Sequence, residues 1–165
     1  MIGAQVCGET CMDVEWLLTD SRSLCFPEST LFFAIRTDRG DGHKYVRDLY
    51  DRGVRAFVVN SFQESLPQAV QLLVQDTLIA LQRLAERHRE SYDIPVIGIT
   101  GSNGKTVVKE WLYQMLSPDM AVTRSPRSYN SQIGVPLSVW QLTDGSQIGI
   151  FEAGISQPGE MEALQ

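Results

Sequence analysis

The residues with the clearest chemical potential form a glycine-rich segment, Thr100-Gly101-Ser102-Asn103-Gly104-Lys105-Thr106. It follows an apolar run and precedes a stretch with helical spacing, which is the setting of a phosphate-binding loop. Glycines let backbone N–H groups approach an anion, Lys105 can neutralise β- and γ-phosphates, and the Thr106 hydroxyl can ligate Mg²⁺. The segment therefore predicts a phosphate site whose binding residues are Gly101, Ser102, Asn103, Gly104, Lys105 and Thr106.

The segment is shorter than the general phosphate-loop pattern G-x-x-x-x-G-K-T, because position 99 is isoleucine where that pattern requires glycine. The core G-x-x-G-K-T remains. The alternative is a tight turn between a strand and a helix that binds nothing, but such a turn has no need of the order Gly-Lys-Thr. The tetrapeptide Asn-Lys-x-Asp, which indicates guanine recognition, does not occur in the sequence, so an unrelated GTP-dependent switch or kinase is a weaker alternative.

Glu152 is the second candidate, because it follows the apolar run Ile148-Gly149-Ile150-Phe151. Ligands of open parallel sheets bind at the carboxyl ends of the strands, and a carboxylate at that edge can hold Mg²⁺ directly or through water. A solvated strand end or a helix-capping carboxylate is the alternative. Since the glycine-rich segment is present in the same sequence, we predict that Glu152 holds the metal.

Composition limits the class of protein. The 165 residues are 43% hydrophobic and 21% charged, and they contain no apolar stretch of membrane-spanning length, which predicts a globular chain without membrane insertion. The net charge of −6 argues against nucleic acid as a partner. Three cysteines, Cys7, Cys11 and Cys25, do not suit a zinc site or a disulfide framework. The N-terminal residues lack the pattern of a signal peptide, so we expect a cytoplasmic location.

Strand and helix signals alternate in the first half of the sequence. Apolar runs at 31–35 and 55–59 predict strands, and apolar residues at helical spacing over 45–50 predict a helix between them. Gly53 stands where a C-terminal helix cap is expected. This order of elements is typical of an α/β layer.

A second helix is predicted after the apolar run at 69–74, where either Asp76 or Thr77 can supply the N-terminal cap. This helix should end near Ser91. The sequence Asp-Ile-Pro that follows predicts a domain boundary close to residue 93.

The second half predicts further strands at 96–100, 121–123 and 148–151, the first of them buried in a parallel sheet. A helix is expected over 133–142, and another is expected to open before Gln165. The helix after the glycine-rich segment should carry its apolar residues on one face: Val108, Trp111, Leu112 and Met115.

Four segments of the sequence resemble a known family. VIGITGSNGKTVVKEWL is similar to the ATP-binding loop and following helix of the ATP-dependent Mur ligases of peptidoglycan synthesis, and IFEAGISQPGEMEAL to the strand that carries their Mg²⁺-binding glutamate. YNSQIGVP is similar to their Asn-Asn-Glu-Ile-Gly-Val-Pro block. Upstream, LLTDSRSLCFPESTLFFAIRTDRGDGHKYV resembles the substrate domain, with its Asp-Ser-Arg and Asp-Gly-His signatures.

The resemblance implies an α/β fold in two parts. Residues 1–93 would form a small N-terminal α/β domain that binds the UDP-MurNAc-peptide, and residues 94–165 the first part of a parallel-sheet ATP-binding domain. The later parts of that domain, which include the family's carbamylated lysine, and the C-terminal domain would lie outside this sequence, so we expect these 165 residues alone to be inactive. A fused alanine racemase, known in some members of the family, would also leave no trace here.

The resemblance also implies roles for individual residues. Lys105 would bind the phosphates of ATP, Thr106 and Glu152 would hold Mg²⁺, and Asn130 would line the catalytic site together with Lys105. The UDP-sugar end of the substrate would meet residues of the two upstream signatures: Ser21, Arg22, Asp41, Gly42 and His43. A polar turn at Asp20-Ser21-Arg22 and a solvated loop histidine at position 43 are the alternatives.

Within the family, the loop and the Ile-Gly-Val-Pro block are most similar to the members that join D-alanyl-D-alanine to UDP-MurNAc-tripeptide. The implied reaction uses ATP to phosphorylate the terminal carboxylate of the peptide, and the dipeptide amine then attacks the acyl phosphate. Two positions depart from the family pattern, Val107 in place of threonine and Ser131-Gln132 in place of Asn-Glu. These departures favour a second hypothesis, a UDP-sugar-peptide binding module with a vestigial nucleotide loop.

Overall fold

The computed structural model describes residues 3–8, 12–37, 40–63 and 66–154. The chain divides into two compact units, Met1–Leu81 and Gln82–Gln165. The helix expected before Gln165 lies outside the described residues. The domain limit at residue 93 stays a prediction. It is supported by the resemblance to the family and not by the division into these two units.

The first unit contains seven of the described strands and one complete helix: β1 (Gln5–Cys7), β2 (Trp16–Leu18), β3 (Thr30–Phe33), β4 (Arg36–Thr37), β5 (Gly40–Asp41), α1 (Val46–Asp51), β6 (Ala56–Val59) and β7 (Val70–Leu73). Helix α2 (Thr77–Glu90) begins in this unit and ends in the second. Three short 3-10 turns occur at Ser21–Ser23, Pro27–Ser29 and Gly42–Tyr45.

A five-stranded sheet with the order β1-β7-β6-β3-β2 forms the centre of the first unit. Four of its strands are parallel, and β1 is antiparallel to β7. Every residue of β3 and β6 is buried, as expected for inner strands of a parallel sheet covered on both faces. Phe32 and Phe57, which are register partners, pack edge to face with ring centroids 6.4 Å apart.

Helix α1 follows the predicted pattern. Val46 and Leu49, three residues apart, are buried on one face and belong to the hydrophobic core of the first unit. Gly53 ends the helical segment with φ of +102°, a left-handed conformation that glycine adopts without steric cost, and its N–H donates to the Tyr50 carbonyl. The strand-helix-strand order predicted for this region is confirmed.

The N-terminal cap of α2 is Asp76, whose Oδ1 accepts hydrogen bonds from the N–H groups of Leu78 and Ile79 at 2.7 and 3.0 Å. Thr77 has a different partner, because its hydroxyl donates to the Ala34 carbonyl at 3.1 Å. The structure thus decides between the two capping residues that the sequence left open.

The second unit contains the remaining elements: β8 (Val96–Ile99), α3 (Lys105–Leu116), β9 (Val122–Arg124), α4 (Gly134–Val139) and β10 (Ile148–Glu152). Its strands form a parallel sheet with the order β8-β10-β9, and in this register Glu152 is paired with Ile99. The α/β class and the parallel sheet expected after residue 94 are confirmed. None of the helices in the described ranges has the length and apolar character to cross a bilayer.

The expected burial of β8 is wrong, and the apolar residues predicted to share one face of α3 include exposed side chains. β8 was expected to be buried, yet within the described chain it pairs only with β10, and of its four residues only Ile99 is buried. The apolar residues on α3 are also accessible, with Trp111 63% exposed and Met115 73% exposed. The physical reason is the same for both, since no described element covers these surfaces. The buried side chain of α3 is Lys109.

Candidate functional site

The glycine-rich segment connects the carboxyl end of β8 to the start of α3. Gly101 has φ of +143° and Gly104, which immediately precedes the helix, has φ of +77°, conformations that L side chains rarely adopt. Apart from its chain neighbours, no heavy atom of the described residues lies within 4 Å of the position that a Cβ would take at either glycine, so the backbone there is open to a ligand. The N-cap residue of α3, Gly104, provides no side-chain cap, so among the described residues the first N–H groups of the helix remain available to an anion.

Lys105 and Thr106 form the first turn of α3, as the sequence predicts. The Lys105 ammonium donates a hydrogen bond to the Gly101 carbonyl at 2.6 Å, so this lysine folds over the loop. The Thr106 hydroxyl donates to Glu152 Oε2 at 3.1 Å. The structure therefore brings the loop and the predicted metal carboxylate together across 46 positions of sequence.

Glu152 is fully buried at the end of β10. Its Oε1 atom lies 2.8 Å from the Lys109 ammonium, but the angles do not satisfy a hydrogen bond, and Oε1 has no hydrogen-bond partner among the described residues. A carboxylate oxygen with spare accepting capacity and a neighbouring hydroxyl are the oxygen ligands that Mg²⁺ prefers. The residues present thus fit a divalent cation.

The protein supplies few ligands at this point. In residues 3–8, 12–37, 40–63 and 66–154, no group of three or more His, Cys, Asp or Glu side chains could hold a metal ion. Mg²⁺ is commonly bound through one or two protein ligands, with water and substrate phosphates completing its octahedron. Thr106 and Glu152 therefore suit a cation that arrives with a nucleotide better than a permanently bound metal.

Lys109 was not among the predicted site residues. It lies three positions after Thr106, on the same face of α3, and this spacing is the signal that could have identified it. Its ammonium donates to the backbone carbonyl of Ser125 at 2.9 Å and to that of Arg127. Hydropathy alone would assign the apolar residues of α3 to its buried face, because a lysine is seldom expected in the interior.

Asn130 also lies at this edge of the sheet. Its backbone carbonyl accepts a hydrogen bond from the Gly154 N–H at 2.6 Å, two residues after Glu152. A Cβ at position 154 would lie 2.9 Å from that carbonyl oxygen, so glycine permits the close approach. The start of α3, the segment after β9 and the last residue of β10 thus contribute Lys105, Asn130 and Glu152 to one edge.

The two departures from the family pattern lie away from these contacts. Val107 is 51% exposed on α3. The Gln132 side-chain carbonyl accepts a hydrogen bond from the Gln82 amide at 2.6 Å, so Gln132 has a structural partner within the second unit.

In the first unit, the first upstream signature follows the carboxyl end of a parallel strand, and the second begins in β5, which is antiparallel to β4. Asp20-Ser21-Arg22 comes after β2, and Asp20 caps the 3-10 turn and forms a bidentate ion pair with Arg22. The Arg22 side chain is 87% exposed, whereas Ser21 is buried and its carbonyl accepts from Arg52. The polar turn expected as the alternative is present, and the exposed guanidinium remains accessible to a ligand.

The segment Asp41-Gly42-His43 is held by internal hydrogen bonds and by one from Asn60, the residue after β6. Asp41 accepts hydrogen bonds from the N–H and ring Nδ1 of His43 at 2.9 and 2.6 Å, and from the Arg36 guanidinium. The other ring nitrogen of His43, Nε2, accepts from the Asn60 N–H at 3.2 Å, which places the ring proton on Nδ1. His43 is thus a largely buried structural residue, not a solvated loop histidine.

This arrangement makes the stability of the first unit acid-sensitive. The hydrogen bond from the His43 N–H, followed by those from Arg36 and the His43 ring, lowers the pKa of Asp41 well below its usual range. Because the pKa of Asp41 is lower in the folded than in the unfolded chain, its contribution is complete above the unfolded value of about 4 and is lost as pH falls through that value toward the folded pKa. We expect Asp41→Asn to reduce the acid dependence of the unfolding free energy, measured by urea denaturation at a series of pH values.

Asp13→Asn is the matched control, since Asp13 is an exposed aspartate of the same unit. It should keep the acid dependence of the unsubstituted protein. An Asp41→Asn protein whose stability falls with acid as steeply as that of the Asp13→Asn protein would contradict this account of Asp41.

Comparison with known proteins identifies relatives that match most of this chain. Residues 99–165 match the family described as Mur ligase middle domain. The chain is 35% identical over 153 residues to the UDP-N-acetylmuramoyl-tripeptide D-alanyl-D-alanine ligase of Bacillus subtilis, covering 92% of this chain and 33% of the relative. The ligase of the same name from Synechocystis is 36% identical over 149 residues, covering 90% of this chain and 32% of the relative.

Solved structures of ligases also match the fold of this chain. The fold matches a UDP-N-acetylmuramoylalanyl-D-glutamyl-2,6-diaminopimelate D-alanyl-D-alanyl ligase from Acinetobacter baumannii with a TM-score of 0.84 and 30% identity, covering 92% of this chain and 33% of that one. A MurF ligase from Thermotoga maritima, solved in complex with ADP, matches with a TM-score of 0.77 and 28% identity over 90% of this chain and 34% of that one. The chain spans about a third of the length of the relatives it matches.

Proposed function

Because the chain belongs to the Mur ligase family, we propose that it is part of an ATP-dependent ligase that joins D-alanyl-D-alanine to UDP-MurNAc-tripeptide. The names of the relatives supply the two substrates, and similarity over nine-tenths of the chain supports their transfer. In this proposal residues 1–93 bind the UDP-linked precursor and residues 94–165 begin the ATP-binding domain. A cytoplasmic location belongs to the same proposal, since ATP and UDP-linked precursors are cytoplasmic.

One observation carries the nucleotide part of the proposal. The Thr106 hydroxyl, in the first turn after the glycine-rich loop, is hydrogen-bonded to Glu152 at the end of the neighbouring parallel strand. A plain turn between a strand and a helix requires neither the lysine nor this carboxylate. Their juxtaposition with open backbone at Gly101 and Gly104 supports binding of a nucleoside triphosphate with its cation.

The chain's own residues would act mainly by positioning and by charge. Backbone N–H groups of the loop and of the first turn of α3 would hold the phosphates, and Lys105 would leave the Gly101 carbonyl to contact them. As the γ-phosphoryl group passes to the peptide carboxylate, the fixed charge of Lys105 would stabilise the negative charge that spreads over its oxygens. Mg²⁺, held by Thr106 and Glu152 when bound, would neutralise further phosphate charge.

The second step completes the amide bond. The amine of D-alanyl-D-alanine attacks the carbonyl carbon of the acyl phosphate, the bond from that carbon to the phosphate oxygen breaks, and the amine loses a proton. ADP, phosphate and the lengthened peptide are the products. Asn130, which lies beside the end of β10, is proposed to line this site.

The exposed Arg22 guanidinium is the best placed of the upstream residues to meet an anionic diphosphate. Ser21, Asp41, Gly42 and His43 would contribute chiefly by holding the backbone of their own segments, since the hydrogen-bonding groups of Asp41 and His43 already have partners. That any of these residues contacts the UDP-linked precursor is part of the proposal.

The experiment is an assay of phosphate release by the protein expressed from its full reading frame. We expect release only when ATP, Mg²⁺, UDP-MurNAc-tripeptide and D-alanyl-D-alanine are all present. L-alanyl-L-alanine in place of the dipeptide and GTP in place of ATP are the matched controls. The absence of release by a folded protein that still binds the UDP-linked precursor would refute the ligase and favour the binding module, and release with GTP in preference to ATP would favour the unrelated switch or kinase.

A further inference from the structure

Lys109 is one of three lysines in the sequence, and its side chain has no exposed surface. Lysine is almost never fully buried unless its charge is paired. The ammonium donates to the carbonyls of Ser125 and Arg127, and it lies 2.8 Å from Glu152 Oε1. Two hydrogen bonds to backbone carbonyls and the opposite charge of Glu152 account for its burial.

These acceptors belong to two different parts of the second unit. Ser125 and Arg127 lie in the segment after β9, and Arg127 has φ of +50°, a conformation that is uncommon for a residue other than glycine. The Ser125 hydroxyl oxygen also accepts the Glu152 N–H at 3.1 Å. Lys109 thus connects α3 to the segment after β9 and to the end of β10.

Helix α3 contacts the Glu152 carboxylate through both of its oxygens. Thr106 donates to Oε2, and Lys109 lies beside Oε1. Because Oε1 has no hydrogen bond in the described chain, Lys109 supplies charge on that side without occupying the oxygen through an aligned donor. This geometry fixes the carboxylate while leaving accepting capacity on it.

We propose that Lys109 is a positioning residue, which holds Glu152 where it binds the divalent cation of the bound nucleotide. The proposal rests on the proposed function. Lys109 acts through Glu152 and has no contact with the glycine-rich loop among its described partners. Its loss should therefore alter the requirement for Mg²⁺ and leave the binding of the nucleotide itself unchanged.

The test is binding of ADP to the protein expressed from its full reading frame, measured by titration calorimetry with and without Mg²⁺. For Lys109→Met, the half-saturating Mg²⁺ concentration should rise about 10- to 100-fold, as when a residue that orients a metal ligand is removed, while ADP affinity without Mg²⁺ changes less than about twofold. Lys44→Met is the matched control, because Lys44 is an exposed lysine of the first unit. It should change neither quantity.

A second variant covers the case in which Lys109→Met does not fold, because that change leaves a buried carboxylate without a cation. The double variant Lys109→Met with Glu152→Gln removes both charges and should fold where Lys109→Met does not, or melt at a higher temperature than Lys109→Met does. A double variant no more stable than Lys109→Met would overturn the pairing of Lys109 with Glu152. An unchanged Mg²⁺ requirement in folded Lys109→Met, or equal weakening of ADP binding with and without Mg²⁺, would overturn the positioning role.

These outcomes are distinguishable from a failure of the proposed function. If the unsubstituted protein binds no ADP, the nucleotide site itself is refuted, and the role of Lys109 is refuted with it. If the unsubstituted protein binds ADP with the help of Mg²⁺ and Lys109→Met binds it equally well, only the role of Lys109 is refuted.

Discussion

Replacing Lys105 with alanine is expected to reduce ATP-dependent phosphate release by at least about a hundredfold in the protein expressed from its full reading frame. Phosphoryl transfer involves little covalent chemistry by the protein, so its rate depends on fixed charges near the transferred group. Lys105 follows directly on the left-handed Gly104, and its ammonium donates a hydrogen bond to the Gly101 carbonyl, which a bound phosphate would replace. The measurement is kcat from initial rates at saturating substrates.

Two controls separate this effect from a loss of folding. The Lys105 bond to Gly101 is exposed, so Lys105→Ala should leave the thermal unfolding midpoint nearly unchanged. Gln114→Ala alters an exposed residue later in the same helix and should retain full activity. Phosphate release by Lys105→Ala within about threefold of the Gln114→Ala rate would rule out the proposed role of Lys105.

Gly42→Ala should destabilise the first unit by about 2–3 kcal/mol or more. The added Cβ would lie 2.8 Å from the Ile35 nitrogen and 2.9 Å from the Ala34 carbonyl carbon, distances that require the backbone to move. The Gly42 N–H also donates to the Ile35 carbonyl at 2.9 Å, so movement would strain that hydrogen bond and the Asp41–His43 contacts beside it. The measurement is the free energy of unfolding from urea denaturation.

Gly40→Ala is the matched control, because the nearest atom to its added Cβ would be the flexible end of Lys44, 3.9 Å away. Both glycines belong to the same short segment, so the comparison isolates steric contact from the general effect of replacing glycine. Equal stability of the Gly42→Ala and Gly40→Ala proteins would show that the backbone at 34–35 tolerates the methyl group.

The order of elements and the phosphate loop could be predicted from the sequence because both depend on local patterns. Apolar runs long enough to form inner strands predicted β3, β6 and β10, and the switch from strand to helical spacing around the glycines predicted the loop and α3. The position of Glu152 followed from a rule of topology, since parallel strands bring their carboxyl ends to one edge. The loop and each of these strands are contiguous stretches of sequence, so a local pattern is sufficient to predict them.

Other features arise only when distant segments meet. β1 and β2 have three residues each, too few to show an alternating pattern, and pairing with β7 and β3 makes them strands. The pattern of α3 predicted an apolar contact face, but the described elements leave Trp111 and Met115 exposed and bury Lys109. The hydrogen-bond acceptors of Lys109 and its buried carboxylate partner Glu152 lie 16 to 43 positions away in the sequence, so no local periodicity could reveal its burial.

The sequence by itself determined which residues could bind phosphate and a cation, because that chemistry resides in residue types and short spacings. The tertiary structure decided how those residues are held. It made His43 a hydrogen-bonded structural residue, placed Asn130 beside the end of β10, and set Lys109 against Glu152. Burial and charge pairing are properties of surroundings drawn from several segments, and only the folded chain assembles them.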